Sequence, residues 1–296
     1  MKSTDIAAPA YFHKVVDCQW ACPAHTPVPE YIRLIAAGRY SDAYLVNWKS
    51  NVFPGILGRT CDRPCEPACR RGRVEAGAPP RAADAKPEPV AICRLKRVAA
   101  DFKDDDIATR MPGKAASRNG KRVALVGAGP ASLTVARDLA PLGYECVVFD
   151  QDARAGGMMR SQIPKFRLPD TVIDEECGFI LDMGVEFRGG VRIDSLRALH
   201  AEGFDAIFVG SGAPRGRDLE IPGRREAAKH IHIGIDWLSS VSFGHTTAIG
   251  RRVVVLGGGN TAMDCCRSAQ RLGGGDVQVV VRSGFDEMKA SPWEKE

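Results

Sequence analysis

No stretch of this 296-residue sequence approaches the roughly 20 consecutive apolar residues that a membrane-spanning helix needs. The opening MKSTDIAAPA lacks the apolar core of a secretory signal. Lys and Arg number 41 against 36 Asp and Glu, but they are scattered. Without a dense basic run there is no footprint for nucleic acid. No internal repeat stands out beyond one strand–glycine–helix pattern that occurs twice. There is no Ser/His/Asp constellation and no pair of carboxylates placed for acid–base work. Cys265 and Cys266 are adjacent rather than spaced as Cys-x-x-Cys, which disfavours a thioredoxin-reductase-like dithiol. These absences set the expectation of a cytoplasmic chain without membrane insertion, nucleic-acid partner or catalytic side chain, whose chemistry is carried by bound cofactors.

Cysteine is plentiful. Of the ten cysteines, six fall in the first 93 residues: Cys18 and Cys22, then Cys61, Cys65 and Cys69, then Cys93. In a reducing compartment, clustered cysteines hold metal more often than they form disulfides. Cys61, Cys65 and Cys69 could line one face of a helix, but Pro64 and Pro67 would break its hydrogen-bond ladder. A looping backbone is expected instead, which lets several sulfurs converge on an iron–sulfur cluster. Cys22-Pro23 matches the Cys-Pro ending of bacterial ferredoxin runs, although the spacing to Cys18 departs from theirs. A structural zinc site and inert buried thiols are the alternatives. The nucleotide loops that follow favour iron–sulfur, because zinc has no redox role. Cys146 and Cys177 are expected as apolar filler.

Residues 1–100 read as mostly helical. One helix opens at Pro29 and stops at Gly38. The next is capped by Ser41 and carries Ala43, Tyr44, Val46 and Trp48. Pro54, Pro64 and Pro67 punctuate an irregular segment, and Pro89 starts a helix through Ile92, Leu95, Val98 and Phe102. Residues 103–120 read as a linker. From Lys121 short Val-rich runs alternate with helical stretches, the pattern of parallel strands joined by crossover helices.

Two glycine loops sit in that pattern. The strand Arg122–Val126 enters Gly127-Ala128-Gly129-Pro130-Ala131-Ser132, and a helix follows. Gly127 permits the tight turn, Gly129 lets backbone approach a pyrophosphate, and Ser132 is small enough for close helix–strand packing. The next strand, Cys146–Phe149, ends at Asp150, an acid at the distance expected for ribose hydroxyls. The second loop repeats the scheme. Strand Arg252–Leu256 enters Gly257-Gly258-Gly259-Asn260-Thr261-Ala262, and the strand Val277–Val281 ends in Arg282. An Arg there can pair with the 2′-phosphate of NADP. However, Ser283 and Phe285 supply no second base, and Asp286 and Glu287 add negative charge. The expectation is that NAD is accepted, with only a weak preference either way. Two such loops suggest one site for a flavin and one for a nicotinamide.

From about Val16 to Ser291 these stretches resemble the family of the glutamate synthase small (beta) subunit. Its relatives include the N-terminal half of dihydropyrimidine dehydrogenase and the large subunit of bifurcating ferredoxin:NADP oxidoreductase. The resemblance rests on CPAHTPVPEYI, GRTCDRPCEPACRRG, VALVGAGPASL, AGGMMRSQIPKFRLP, VVVLGGGNTAMDCCRSAQRLG and the closing DEMKAS. It implies an α/β chain with an N-terminal α-helical iron–sulfur domain (1–118), then the first segment of an FAD-binding Rossmann-like domain (119–248). The start of an NAD(P)-binding Rossmann-like domain (249–296) comes last, incomplete in this chain. It also implies that Gly156, Gly157, Met158, Ile163, Pro164, Phe166, Arg167 and Leu168 lie along FAD. By position Cys22, Cys61 and Cys65 match three ligands of one family cluster. Cys93 lies about one turn before the matching fourth position and is expected to close it. Cys18 and Cys69 match a second family cluster, of which two ligands are missing. It is lost, altered with His13 as a ligand, or completed by a partner. For His13 itself an exposed non-ligand histidine is the plainer reading.

The cofactors implied are FAD, at least one [4Fe–4S] cluster, and NAD or NADP. The implied function is an NAD(P)H-dependent flavin oxidoreductase subunit that exchanges electrons with other redox subunits of a complex. The alternatives are a glutamate synthase small subunit and a non-catalytic iron–sulfur docking module.

Overall fold

Short helices fill the first hundred residues, and parallel strands alternate with helices thereafter. A computed structural model describes residues 16–74 and 88–295. The chain forms two compact units that divide between Met111 and Pro112.

The first unit contains α1 (Asp17–Ala21), α2 (Val28–Ala36), α3 (Tyr40–Asn51), α4 (Pro54–Thr60), α5 (Cys65–Ala68), α6 (Arg71–Val74), α7 (Ile92–Asp101) and α8 (Ile107–Arg110). Its core gathers Val28, Tyr31, Leu34, Ala43, Cys65, Cys69, Ile92 and Ala99. Prolines open helices here as well as ending them. Pro54 lies at the start of α4, where its missing N–H has no helical partner to lose, and Pro64 is the N-cap of α5. The segment expected to be irregular therefore contains three short helices. Cys61 and Cys69 fall at their extended C-caps and Cys65 at the first position of α5, so the three cysteines do turn through loops rather than along one helix. Ser41 does not cap α3, which begins one residue earlier. Its hydroxyl instead donates to Asp104 Oδ2 at 2.5 Å. The expected linker also carries structure: Ile107 of α8 is buried, and Arg110 is paired with Asp42.

α4 and α7 meet through bare backbone. A Cβ on Gly58 would lie 2.8 Å from both Cα and N of Arg97. That approach brings the chain leading to Cys61 against the helix that carries Cys93.

The second unit opens with a four-stranded parallel sheet made of β1 (Arg122–Val126), β2 (Glu145–Asp150), β3 (Glu186–Gly189) and β4 (Ala206–Val209), in the order β3-β2-β1-β4. The central strands β1 and β2 are buried along their middles, as parallel strands covered on both faces must be. Helices α9 (Pro130–Leu139), α10 (Met158–Ser161), α11 (Asp170–Leu181), α12 (Leu196–Ala201) and α13 (Gly234–Ser242) accompany it. The chain reverses direction across the sheet between β1 and β4. Their carboxyl ends therefore form the switch-point crevice where open α/β sheets bind ligands. A separate parallel pair, β5 (Arg252–Leu256) and β6 (Asp276–Val280), is joined by α14 (Asn260–Arg271), and α15 (Pro292–Lys295) follows. β6 begins and ends one residue earlier than its pattern suggests. Val255 and Val279 pack beneath α14 with Ala262 and Met263. Val254, Leu256 and Val280, whose side chains alternate with them, are exposed. Among the described residues no helix is long and apolar enough to cross a membrane.

The Gly58 contact sets a test. Alanine gains up to about 1 kcal/mol of helix propensity over glycine, yet its methyl would collide with backbone that cannot swing aside. Gly58→Ala is expected to lower the stability of the first unit by a net of about 1–2 kcal/mol, read as a lower midpoint in chemical denaturation. An unchanged or higher midpoint would show that the two helices have room to part.

Candidate functional site: a thiol cluster and two dinucleotide loops

The six N-terminal thiols divide into two neighbourhoods. In the first, Cys61 and Cys93 are hydrogen-bonded to one another, and Cys65 is close enough to feel the charges of Cys61 and Cys22. In the second, Cys18 stands beside Cys69. The backbone supplies anchors to the first group. The N–H of Arg63 donates to Cys61 Sγ at 3.3 Å, and the Leu57 carbonyl oxygen lies 3.2 Å from Cys93 Sγ. Glu66 Oε1 accepts from the Cys93 N–H at 3.0 Å. Tyr31 is fully buried; its hydroxyl donates to the Ile92 carbonyl at 2.9 Å. Burial pushes its phenol up, and the charges of Cys65, Cys93, Cys18 and Cys22 push further, so it lies near both groups.

The acidities in the first group diverge. The hydrogen bond from Cys93 holds the Cys61 thiol down at about 6 against the effect of burial. The same bond, with burial, pushes Cys93 up, and burial pushes Cys65 up to about 12. Of Cys61, Cys65 and Cys93, Cys61 is thus the most readily ionised, and thiolate is the form that ligates iron. Among the described residues no three His, Cys, Asp or Glu side chains converge tightly enough to hold a single ion. A [4Fe–4S] cluster takes one thiolate at each of four corners, and Cys22, Cys61, Cys65 and Cys93 are the four sulfurs of the first neighbourhood. His13 lies outside the described residues.

The first glycine loop forms the crevice at the end of β1. Gly127 adopts a φ of +96°, and a Cβ there would strike the Gly210 carbonyl oxygen at 2.6 Å, just past β4. Gly129 has ordinary extended backbone, and a Cβ on it would meet nothing within 4 Å. This open space lies where Pro130 and Ala131 begin α9, so the helix N-terminus and bare backbone face a place for a pyrophosphate. Ser132 is fully buried and packs against Gly210, whose own Cβ would lie 2.3 Å from Ser132 Oγ.

The Gly156-Gly157 pair joins this loop directly. The Gly156 N–H donates to the Ala128 carbonyl at 2.9 Å. A Cβ on Gly157, whose φ is +52°, would touch Gly129 Cα at 2.7 Å. Met158 is half exposed at the start of α10, and Ile163 is partly buried. The Pro164 carbonyl accepts from the N–H groups of Arg167 and Leu168, making the turn that buries Leu168. Phe166 is exposed, and the Arg271 guanidinium lies 3.9 Å from its ring centroid. Asp150 is turned toward the loop itself. Its Oδ2 accepts from the Ala128 N–H at 2.5 Å and its Oδ1 from Asp152 N–H at 2.8 Å. Each oxygen keeps a lone pair for a further donor such as a ribose hydroxyl.

The second loop has the same skeleton. Gly257 has a φ of +129°, and a Cβ on Gly259, again extended, would meet nothing within 4 Å. Thr261 is exposed in the first turn of α14 and Ala262 is buried in the third-glycine position. Asn260 faces the closing DEMKAS segment: its Oδ1 accepts from the Ser291 N–H at 2.9 Å. The Ala290 N–H donates to the Gly258 carbonyl at 2.8 Å. Arg282 is exposed.

Arg167, in the run expected along FAD, engages the second loop's helix. Its guanidinium pairs with Asp264 at 2.5 Å and with Glu294 at 2.7 Å, and Glu294 also takes Arg267 at 2.6 Å. Two guanidinium groups thus meet two buried carboxylates. Burial pushes the Asp264 carboxyl up, against the pull of Arg167.

Comparison with known proteins agrees with this layout. A family model described as dihydropyrimidine dehydrogenase domain II, 4Fe-4S cluster, matches residues 11–107. The pyridine nucleotide-disulphide oxidoreductase model matches residues 121–288, more than half of the chain. The chain belongs to this oxidoreductase family. Within it, the chain falls in the group of glutamate synthase small subunits and their relatives. It is 35% identical to the NADPH-Fe(3+) oxidoreductase subunit beta of Geobacter sulfurreducens, across 98% of this chain and 43% of that protein. It is 33% identical to the NADP(+)-dependent formate dehydrogenase subunit beta of Moorella thermoacetica, across 92% of this chain and 40% of that protein. With the glutamate synthase [NADPH] small chain of Azospirillum brasilense it shares 32% identity, across 93% of this chain and 57% of that protein. The chain thus spans less than half the length of the first two relatives and just over half of the third. Its fold is that of FprA from Mycobacterium tuberculosis in complex with NADPH, at a TM-score of 0.50 and 21% identity, over 59% of this chain and 46% of that one.

Residues of this oxidoreductase chain that motif reading passed over prove to hold its loops. Arg160 is buried. It donates to the Ala155 carbonyl at 2.9 Å and pairs with Asp170 at 3.2 Å and Asp174 at 2.7 Å, bracing the Gly156-Gly157 turn against α11. The two aspartates stand four residues apart on α11, and that spacing was the available signal. Asp264 and Glu294 carried no local signal, because their partner Arg167 is about a hundred residues away.

A Cβ at Gly129 would project into the open space without touching the protein. Gly129→Val is therefore expected to keep its fold by circular dichroism and to purify without flavin. Full flavin occupancy in this variant would remove the first loop as the site.

Proposed function

We propose that this chain is the flavin- and iron–sulfur-containing part of an electron-transfer subunit, which exchanges electrons between NAD(P)H and a partner redox subunit. The observation that carries this reading is the joint presence, on one polypeptide, of the divided thiol set and two loops with open space at Gly129 and Gly259. A bound FAD would supply hydride exchange with the nicotinamide and a bound [4Fe–4S] cluster would carry single electrons.

The chain's own residues bind and orient. Cys22, Cys61, Cys65 and Cys93 would hold the first cluster. Cys18 and Cys69 offer half a ligand set for a second. Gly127, Gly129 and the N-terminus of α9 would cradle the flavin pyrophosphate. Gly157 would close over it, with Asp150 toward the ribose. Gly257, Gly259 and the N-terminus of α14 would do the same for the nicotinamide cofactor, and Asn260 fixes the loop to the DEMKAS segment.

The relatives named as beta subunits and small chains support a life in a multi-subunit complex. The glutamate synthase likeness supports one particular partner, a large glutamine-handling subunit. Identification of the co-purifying subunit decides between that and another redox enzyme. None of the ten cysteines is in a disulfide, which supports a cytoplasmic setting.

The NADP-specific names among the relatives support NADP(H) as a cofactor here, read through Arg282. A lone exposed Arg beside Asp286 and Glu287 gives limited discrimination. We expect NAD to be accepted, and preference for NADP to stay below roughly a hundredfold, about 2.7 kcal/mol, and to vanish in Arg282→Ala. Steady-state kinetics with both cofactors on the intact complex is the check. A larger preference that survives Arg282→Ala would place the phosphate elsewhere.

Iron analysis of anaerobically prepared protein tests the thiol assignment. Cys61→Ser and Cys65→Ser should each abolish the first cluster, whereas Cys69→Ser should leave it intact. Stoichiometric zinc without iron in the parent protein would refute the iron–sulfur reading.

A further inference from the structure

Lys96 is only 5% exposed. It lies on α7, three residues after Cys93, on the face shared by Ile92, Cys93, Ala99 and Ala100. Lysine is almost never buried without a partner, because its ammonium loses hydration that nothing apolar can replace. Among the described residues no carboxylate pairs with Lys96. The buried carboxylate nearby, Glu66, is committed elsewhere. Its Oε1 receives the Cys93 N–H at 3.0 Å and its Oε2 stands 3.9 Å from Arg63. The sulfurs of Cys61, Cys65 and Cys93 all lie within electrostatic reach of it.

We propose that Lys96 is the electrostatic counter-charge of the cluster held by Cys22, Cys61, Cys65 and Cys93, and that it raises that cluster's reduction potential. The inference rests on the iron–sulfur reading above. When the cluster accepts one electron it gains one negative charge, and no bond to protein forms or breaks. A fixed ammonium in a poorly hydrated setting stabilises the reduced form more than the oxidised form. Lys96 is thus a positioning residue for charge, not a ligand. Its arm stays inside because it faces a site that carries negative charge in either redox state.

The test uses the full chain, prepared anaerobically, with iron content and redox titration followed by electron paramagnetic resonance. Lys96→Met keeps the length and apolar bulk of the side chain and deletes the charge. It is expected to keep its iron and to reduce about tenfold less favourably, a fall of about 59 mV in midpoint for one electron. Lys96→Arg, which keeps the charge, is expected to stay near the parent value. An unchanged midpoint in iron-loaded Lys96→Met would overturn the proposal. Loss of iron from both variants would also overturn it, because Lys96 would then hold the cluster rather than tune it. A parent protein without iron would defeat the underlying reading and this inference together.

Discussion

Close approach of bare backbone is the constraint on which the structure depends. A Cβ at Gly58 would strike α7, at Gly157 it would strike Gly129, and at Gly127 it would strike the end of β4. Each contact joins segments that carry different parts of a site. Gly58 puts the approach to Cys61 against the helix of Cys93. Gly157 lays the Gly-Gly turn on the first nucleotide loop, and Gly127 fits that loop into the crevice between β1 and β4. Side chains at these places would force the segments apart, since each Cβ would lie under 3.0 Å from opposing backbone.

The thiol group shows what such closeness does to acid–base chemistry. Burial raises a thiol's pKa, on its own for Cys146, to about 11, and as the largest cause for Cys177 and Cys265, each to about 12. Cys61 moves the other way because Cys93 donates to it. Cys146, Cys177 and Cys265 are therefore held as thiols where they pack, whereas the cysteines of the first unit include one drawn toward its thiolate.

Much of this was legible in the residues. The two glycine loops were readable because a tight turn and bare backbone demand glycine at fixed offsets. The strands around them carried a clear β pattern. The family motifs divide the cysteines by position, and in the structure Cys61 lies with Cys93 and Cys18 beside Cys69. Less visible was everything that depends on distant partners. The short helices α4 and α5 hid behind prolines that cap and start helices as readily as they end them. Asp150 was read as reaching outward to a ribose, yet its carboxylate also satisfies the loop's own N–H groups. Lys96 looks like any helical lysine until the burial of its face is known. Arg167 carried a flavin-side expectation, while its charge is spent on Asp264 and Glu294.

The last of these bears on how the second unit comes apart. Arg167 belongs to the segment that leaves the four-stranded sheet, whereas Asp264, Arg267 and Glu294 belong to the β5–β6 half. Removing one partner from a buried set of this kind leaves an uncompensated charge, at a cost of about 3–5 kcal/mol. Neither half can loosen alone without breaking these ion pairs. The charges thus tie the β5–β6 half to the turn that carries Arg167, and a change at either end reaches the other.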